Sequence, residues 1–180
     1  APSHIHKGEI VIPNGVTLAP PFTEALTLSR LGIQVGLIYF CLAFISFFVS
    51  AYQASAEATS YAYYEVVMWG GGHLLQLANA TFLLVAWLLL ISFFSPQALP
   101  SARTMKKLFI CMALPLIPAL YLTLQNPHSD SHRLGFTSLM QWGIFPPTLV
   151  FLFLTFKNIY TESKGNFVSL FKNGPFLAVL

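Results

Sequence analysis

Residues 31–52 read LGIQVGLIYFCLAFISFFVSAY, from Leu31 to Tyr52, without a single charged side chain. A helix that crosses the hydrocarbon core of a bilayer needs about 20 mostly apolar residues, and this run meets that length. Three more runs follow. Val66 to Phe94 is longer and holds one ionisable group, His73. Leu108 to Leu124 is short, with polar flanks that can extend it, and Leu134 to Phe156 is again uncharged. Backbone in lipid must satisfy its own N–H and C=O groups, which leaves helices or a closed barrel. The runs are continuous rather than alternating, and four are too few for a barrel. The sequence therefore predicts an all-α integral membrane bundle of four transmembrane helices over 31–156. A polar N-terminal segment (1–30) precedes it and a basic C-terminal tail (157–180) follows.

Composition agrees. Hydrophobic residues make up 56% of the 180 and charged residues only 8%, against roughly a quarter charged in soluble domains. Fifteen charges cannot cover a water-soluble globule, and a net charge of +3 on so apolar a chain excludes disorder. Cys41 and Cys111 lie inside apolar runs, so they read as small packing or lipid-facing residues rather than a disulfide. The nine Lys and Arg are dispersed, with no cluster beyond Lys106-Lys107. No nucleic-acid surface is expected.

The basic residues do set an orientation. Lys7 and Arg30 precede the first span, Arg103, Lys106 and Lys107 lie between the second and third, and Lys157, Lys164 and Lys172 follow the fourth. Only Arg133 falls on the opposite side. Basic loops stay cytoplasmic, so both termini are expected there. The first thirty residues carry Pro2, Pro13, Pro20 and Pro21 and no apolar core of signal-peptide length. The chain opens on Ala1 rather than Met, which reads as a processed chain or a piece of a longer one.

Candidate chemistry starts at His73, about eight residues into its span. An ionisable residue at that depth faces a bundle interior or a site. A neutral imidazole there is either a ligand for a metal or haem iron or a histidine hydrogen-bonded to another helix. It follows Trp69-Gly70-Gly71-Gly72. Glycine costs about 1 kcal/mol relative to Ala in a helix, so three in a row call for the close approach of a flat partner or another helix. Gly32-x-x-x-Gly36 in the first span is a further helix-packing signal. Trp142 with Pro146-Pro147 marks a kinked fourth helix, and Tyr121 is an interfacial anchor or a proton-donating phenol. His4-x-His6 reads as solvated, and Asn79-Ala80-Thr81 fits the glycosylation triplet but lies within a span.

The stretch from Tyr64 to His73 (YEVVMWGGGH) resembles the sixth helix of the large, catalytic subunit of haem-copper oxidases, whose pattern there is Y-Q-x-L-F-W-x-x-G-H. Arg133-Leu134-Gly135-Phe136-Thr137-Ser138 with Pro146 downstream is similar to the R-x-x-F-T-S core and proline of that family's eighth helix. The resemblance runs over Leu31 to Phe156, the family's fifth to eighth helices, and is dense at 63–73 and 133–146. It implies His73 as a ligand of the active-site copper, Trp69, Gly70, Gly71 and Gly72 as part of a haem-pocket wall, and Tyr121 as a catalytic hydrogen-bonding or proton-donating side chain. The implied cofactors are haem and copper. The implied reaction is reduction of oxygen or nitric oxide in a respiratory membrane, of the terminal-oxidase or nitric-oxide-reductase type. Cytochrome c or quinol would be the electron donor, and other helices or subunits would complete the site.

The sequence also departs from that family. The cross-linked tyrosine of the sixth helix corresponds to Leu77, the proton-gate glutamate to Leu75 and the proton-channel lysine to Val150. The adjacent histidine pair of the seventh helix corresponds to Tyr121 and Leu122. His128 and His132, four apart in the loop after the third span, would complete a copper site if that loop folded inward; read from sequence, they are ordinary exposed loop histidines near Asp130. The alternative function is a non-catalytic membrane bundle that binds haem, quinone or partner subunits after losing the copper.

Overall fold

A computed structural model describes residues 10–11, 17–18, 20–54, 60–94 and 96–162. His4, His6, Lys7, Lys164 and Lys172 lie outside the described residues. The fold is an all-α bundle with four helices long and apolar enough to cross a membrane: Phe22–Gln53, Ala62–Phe93, Ala102–Thr123 and Asp130–Thr161. Ahead of the bundle, β1 (Ile10–Val11) pairs with β2 (Thr17–Leu18) as a two-residue antiparallel ladder.

The helices are longer than the apolar runs. α1 spans Pro20–Gln53 and α2 spans Ser60–Phe94. Proline suits the first turn of a helix because its missing N–H would be unpaired there anyway, so Pro20-Pro21 starts α1 well before the apolar stretch that opens at Leu31. A 3-10 turn over Pro96–Ala98 leads to α3 (Ala102–Ala113), whose first turn is capped by the Ser101 hydroxyl accepting from the Thr104 N–H at 3.3 Å. α4 covers Leu116–Thr123 and α5 covers Asp130–Glu162.

The third span is broken between α3 and α4, at Leu114-Pro115. Proline has no N–H to donate and its ring clashes with the carbonyl four residues back. The Met112 carbonyl, freed at the break, accepts instead from the buried Tyr39 hydroxyl of α1 at 2.7 Å. Gly143 of α5 makes room for the bend: a methyl there would lie 2.8 Å from Pro115 Cγ and 3.0 Å from Leu77 Cδ2. α5 runs unbroken through Pro146 and Pro147.

The two ends of the bundle differ. α1 begins and α5 ends at one end, with the 96–101 turn, called here the proximal end. α1 ends and α2 begins at the other, distal end, where the 124–129 connector also lies. The proximal core gathers Ala25, Leu84, Val85, Leu88, Met105, Phe109 and Phe151. The distal core gathers Val35, Tyr39, Leu74, Leu77, Ala119, Leu122 and Phe136. Gly32 and Gly36 belong to packing as expected: Gly32 faces Val85 and Phe109, and Gly36 faces the Phe82 ring.

Candidate functional site

The two sequence stretches that carry the family resemblance meet at the distal end, α2 against the first turns of α5. Glu65 of α2 pairs with Arg133 of α5 at 2.7 Å. The Arg133 guanidinium lies 4.6 Å above the Trp69 ring, and the Trp69 indole N–H donates to the Arg133 carbonyl at 3.2 Å. One turn deeper, Gly70 faces the Phe136 ring and the His132 imidazole.

The start of α5 builds this junction. The loop after α4 closes with the Asn126 side chain accepting from the His128 N–H at 2.9 Å and the Ser129 hydroxyl donating to the Asn126 carbonyl at 2.7 Å. The Ser129 hydroxyl in turn accepts from the His132 N–H at 3.3 Å, which makes Ser129 the helix cap. Asp130 follows in the first turn, where its charge suits the positive end of the helix. His132 is therefore helical and points inward. This overturns its sequence reading as an exposed loop residue. It is 0% exposed, while His128 in the loop is exposed.

Neither ring nitrogen of His132 has a hydrogen-bond partner among the described residues. Its ring packs edge-on against Phe136, with centroids 4.8 Å apart. The Ser46 hydroxyl of α1 is equally buried and unpaired. The point where a Gly70 Cβ would sit is 2.8 Å from Ser46 Oγ and 3.1 Å from His132 Nε2, so both polar atoms converge on the bare backbone of Gly70. One helical turn further, the Ser50 hydroxyl is also buried and unpaired.

His73 completes the corner. It lies one turn past Gly70 on α2, the residue whose Cβ position is 3.1 Å from His132 Nε2. Its Nδ1 is 2.7 Å from the Trp69 carbonyl, four residues back. A carbonyl only accepts, so Nδ1 carries a proton, and in the neutral imidazole Nε2 is left with the lone pair. That nitrogen makes no hydrogen bond among the described residues. Metal-ligating histidines are commonly oriented this way, with the second nitrogen donating to a carbonyl.

The three glycines prove unequal. A methyl on Gly70 would press on Ser46, Phe136 and His132, and one on Gly71 would strike the Phe47 ring, but one on Gly72 would meet nothing within 4 Å. The flat partners of Gly70 and Gly71 are thus side chains of this chain. Tyr121 stands 65% exposed near the end of α4, its hydroxyl without a hydrogen bond among the described residues. Leu122 beside it turns inward and fills the notch at Gly135. Of the two positions aligned with the family's histidine pair, the inward one is apolar.

A copper of the family's type takes three imidazoles. The corner offers two, and no group of three or more His, Cys, Asp and Glu side chains converges among the described residues. The family's copper site does not fit these residues alone, and a haem face does not fit over Gly70 and Gly71, where side chains already pack. Comparison with family models, curated proteins and solved structures finds no match to this chain.

Proposed function

We propose that this chain is part of a haem-copper-oxidase-like membrane subunit in which His73 and His132 supply two nitrogen donors of a metal site whose remaining ligands come from other helices or subunits. The observation that carries this reading is His132: an imidazole fully enclosed, with both nitrogens unpaired, its Nε2 3.1 Å from the Cβ position of Gly70, one helical turn before a second imidazole on α2. Burying polar nitrogens without partners costs about 1–3 kcal/mol, and a bound ion or water would offset that loss. The meeting of Tyr64–His73 with Arg133–Ser138 lends support, since those are the stretches that resemble the family. On this reading the membrane is a respiratory one and both termini are cytoplasmic. Electrons for reducing oxygen or nitric oxide come from cytochrome c or quinol. Imidazole suits copper, zinc and iron alike, and the family resemblance singles out copper among them.

A second reading has its own observation. Packing of Phe47 and Phe136 already accounts for Gly70 and Gly71, as it would in a non-catalytic bundle that has lost the metal and binds haem, quinone or partner subunits elsewhere.

Purification in mild detergent with native partners separates the two. Copper is measured by elemental analysis and haem by reduced-minus-oxidised spectra, in the wild type, His73→Ala and His132→Ala. The expected result is about one copper per chain, lost in each variant. Haem without copper favours the second reading. Copper retained in both variants, or neither cofactor in the wild type, sinks the metal-site proposal.

A further inference from the structure

The face of α2 turned away from the bundle carries two amides at the depth of the hydrocarbon. Gln76 and Asn79 are both exposed, and neither side chain makes a hydrogen bond among the described residues. The candidate span is Ala62–Phe93, and every window of about 20 residues within it contains both positions. Wherever the bilayer sits along α2, the two amides face hydrocarbon rather than water. An unpaired amide in an alkane-like medium is strongly unfavourable, because nothing there replaces the hydrogen bonds that water supplied. Their exposed neighbours follow helical spacing along one stripe: Met68, Gln76, Asn79, Leu83, Ala86 and Leu90. Gly72 lies on the same stripe and is the glycine with nothing opposite it. The bundle explains Gly70 and Gly71 but leaves Gly72 and the amides unexplained.

We infer that this stripe is the contact between two copies of the chain, α2 against α2 about a two-fold axis normal to the membrane. Copies inserted in the same sense place each residue at the same depth as its mate, so Gln76 and Asn79 of one copy meet Gln76 and Asn79 of the other. An amide carries both donor and acceptor, so the pair is self-complementary, as an isologous interface requires. Gly72, one turn away, lets the backbones approach, and interhelical amide bonds join small residues as the usual adhesive between helices in lipid. No charged residue lies on α2 between Glu65 and its end at Phe94, so nothing along the stripe repels a like copy. This inference is independent of the metal-site reading.

Cysteine cross-linking of the full chain in its expression membrane tests it, in a Cys41→Ser/Cys111→Ser background. Gln76→Cys and Asn79→Cys, made singly, are expected to give a disulfide-linked product of twice the chain mass under mild oxidation. Leu120→Cys, on the exposed face of α4, serves as the collision control and is expected to give at least tenfold less. In parallel, Gln76→Leu/Asn79→Leu, with the native cysteines restored, is expected to lower the dimer fraction at least fivefold in single-molecule photobleaching at fixed dilution in liposomes. A product joining position 76 to a different polypeptide, equal cross-linking at 120, or a wild type that bleaches in single steps overturns the proposal.

Discussion

The proximal end of the bundle closes on itself and the distal end does not. At the proximal end, Phe109 fills the notch at Gly32, and the Asn158 amide of α5 donates to the Ala98 and Leu99 carbonyls at 3.2 and 3.1 Å. Its buried unpaired groups among the described residues, the Thr148 and Thr155 hydroxyls on the second half of α5, sit within a long helix, where such groups commonly turn to the carbonyl four residues back. Ser29 does this at 2.7 Å. At the distal end the Ser46 and Ser50 hydroxyls lie within α1 and can turn back in the same way, but the two unpaired nitrogens of His132 cannot. The two histidines show why the ends differ. His73 has three turns of α2 behind it and bonds the Trp69 carbonyl. His132 occupies the first turn of α5, where no helical carbonyl lies behind it. A polar side chain can satisfy itself inside a helix but not at its start, so an inward histidine in a first turn waits for a partner from elsewhere.

Substitutions at the two ends test this contrast by equilibrium unfolding in mixed detergent. Gly32→Ala, which drives a methyl into Val85 and Phe109 in the filled proximal core, is expected to cost about 2 kcal/mol. Gly70→Ala should cost less, because the hydroxyl of Ser46 can rotate away and only the Phe136 ring, at 2.9 Å, must give, whereas both neighbours of Gly32 are packed side chains in closer contact; an equal loss would show that the distal corner has no slack. Tyr39→Phe strips the hydrogen bond from the Met112 carbonyl at the break in the third span and is expected to lose about 1.5 kcal/mol. The smallest effect has the opposite sign. His132→Leu removes two unpaired nitrogens and, in protein freed of metal by chelation, is expected to gain about 1 kcal/mol. A loss there would mean that His132 is already satisfied by a group other than a metal, which would break the contrast.

Much of the fold is legible in the sequence because uncharged runs of spanning length leave few alternatives. The third span is the instructive departure. Pro115 breaks it, yet the double proline at 146–147, the stronger signal on paper, lies within one continuous helix. A lone proline opposite a glycine notch and a buried hydroxyl can open the chain at little cost, and that pairing of Pro115 with Gly143 and Tyr39 is invisible without the packing. At the site, His73 was evident from its depth. His132 was not, because turn-forming residues on either side of it read as loop. The sequence does carry a signal for it in Ser129 followed by Asp130, a helix-start pattern that puts His132 inside the helix. The Glu65–Arg133 pair joins residues 68 apart in sequence and could not be read from either stretch alone.

The Tyr39–Met112 bond also bears on how the protein is made. The first span leaves the ribosome long before the third, so Tyr39 enters the bilayer with its hydroxyl unanswered. The third span then arrives with an open carbonyl at its midpoint, a poor substrate for lateral release into lipid on its own. Each is completed by the other, so the bond that joins the first span to the third removes two exposed polar groups from the lipid at once.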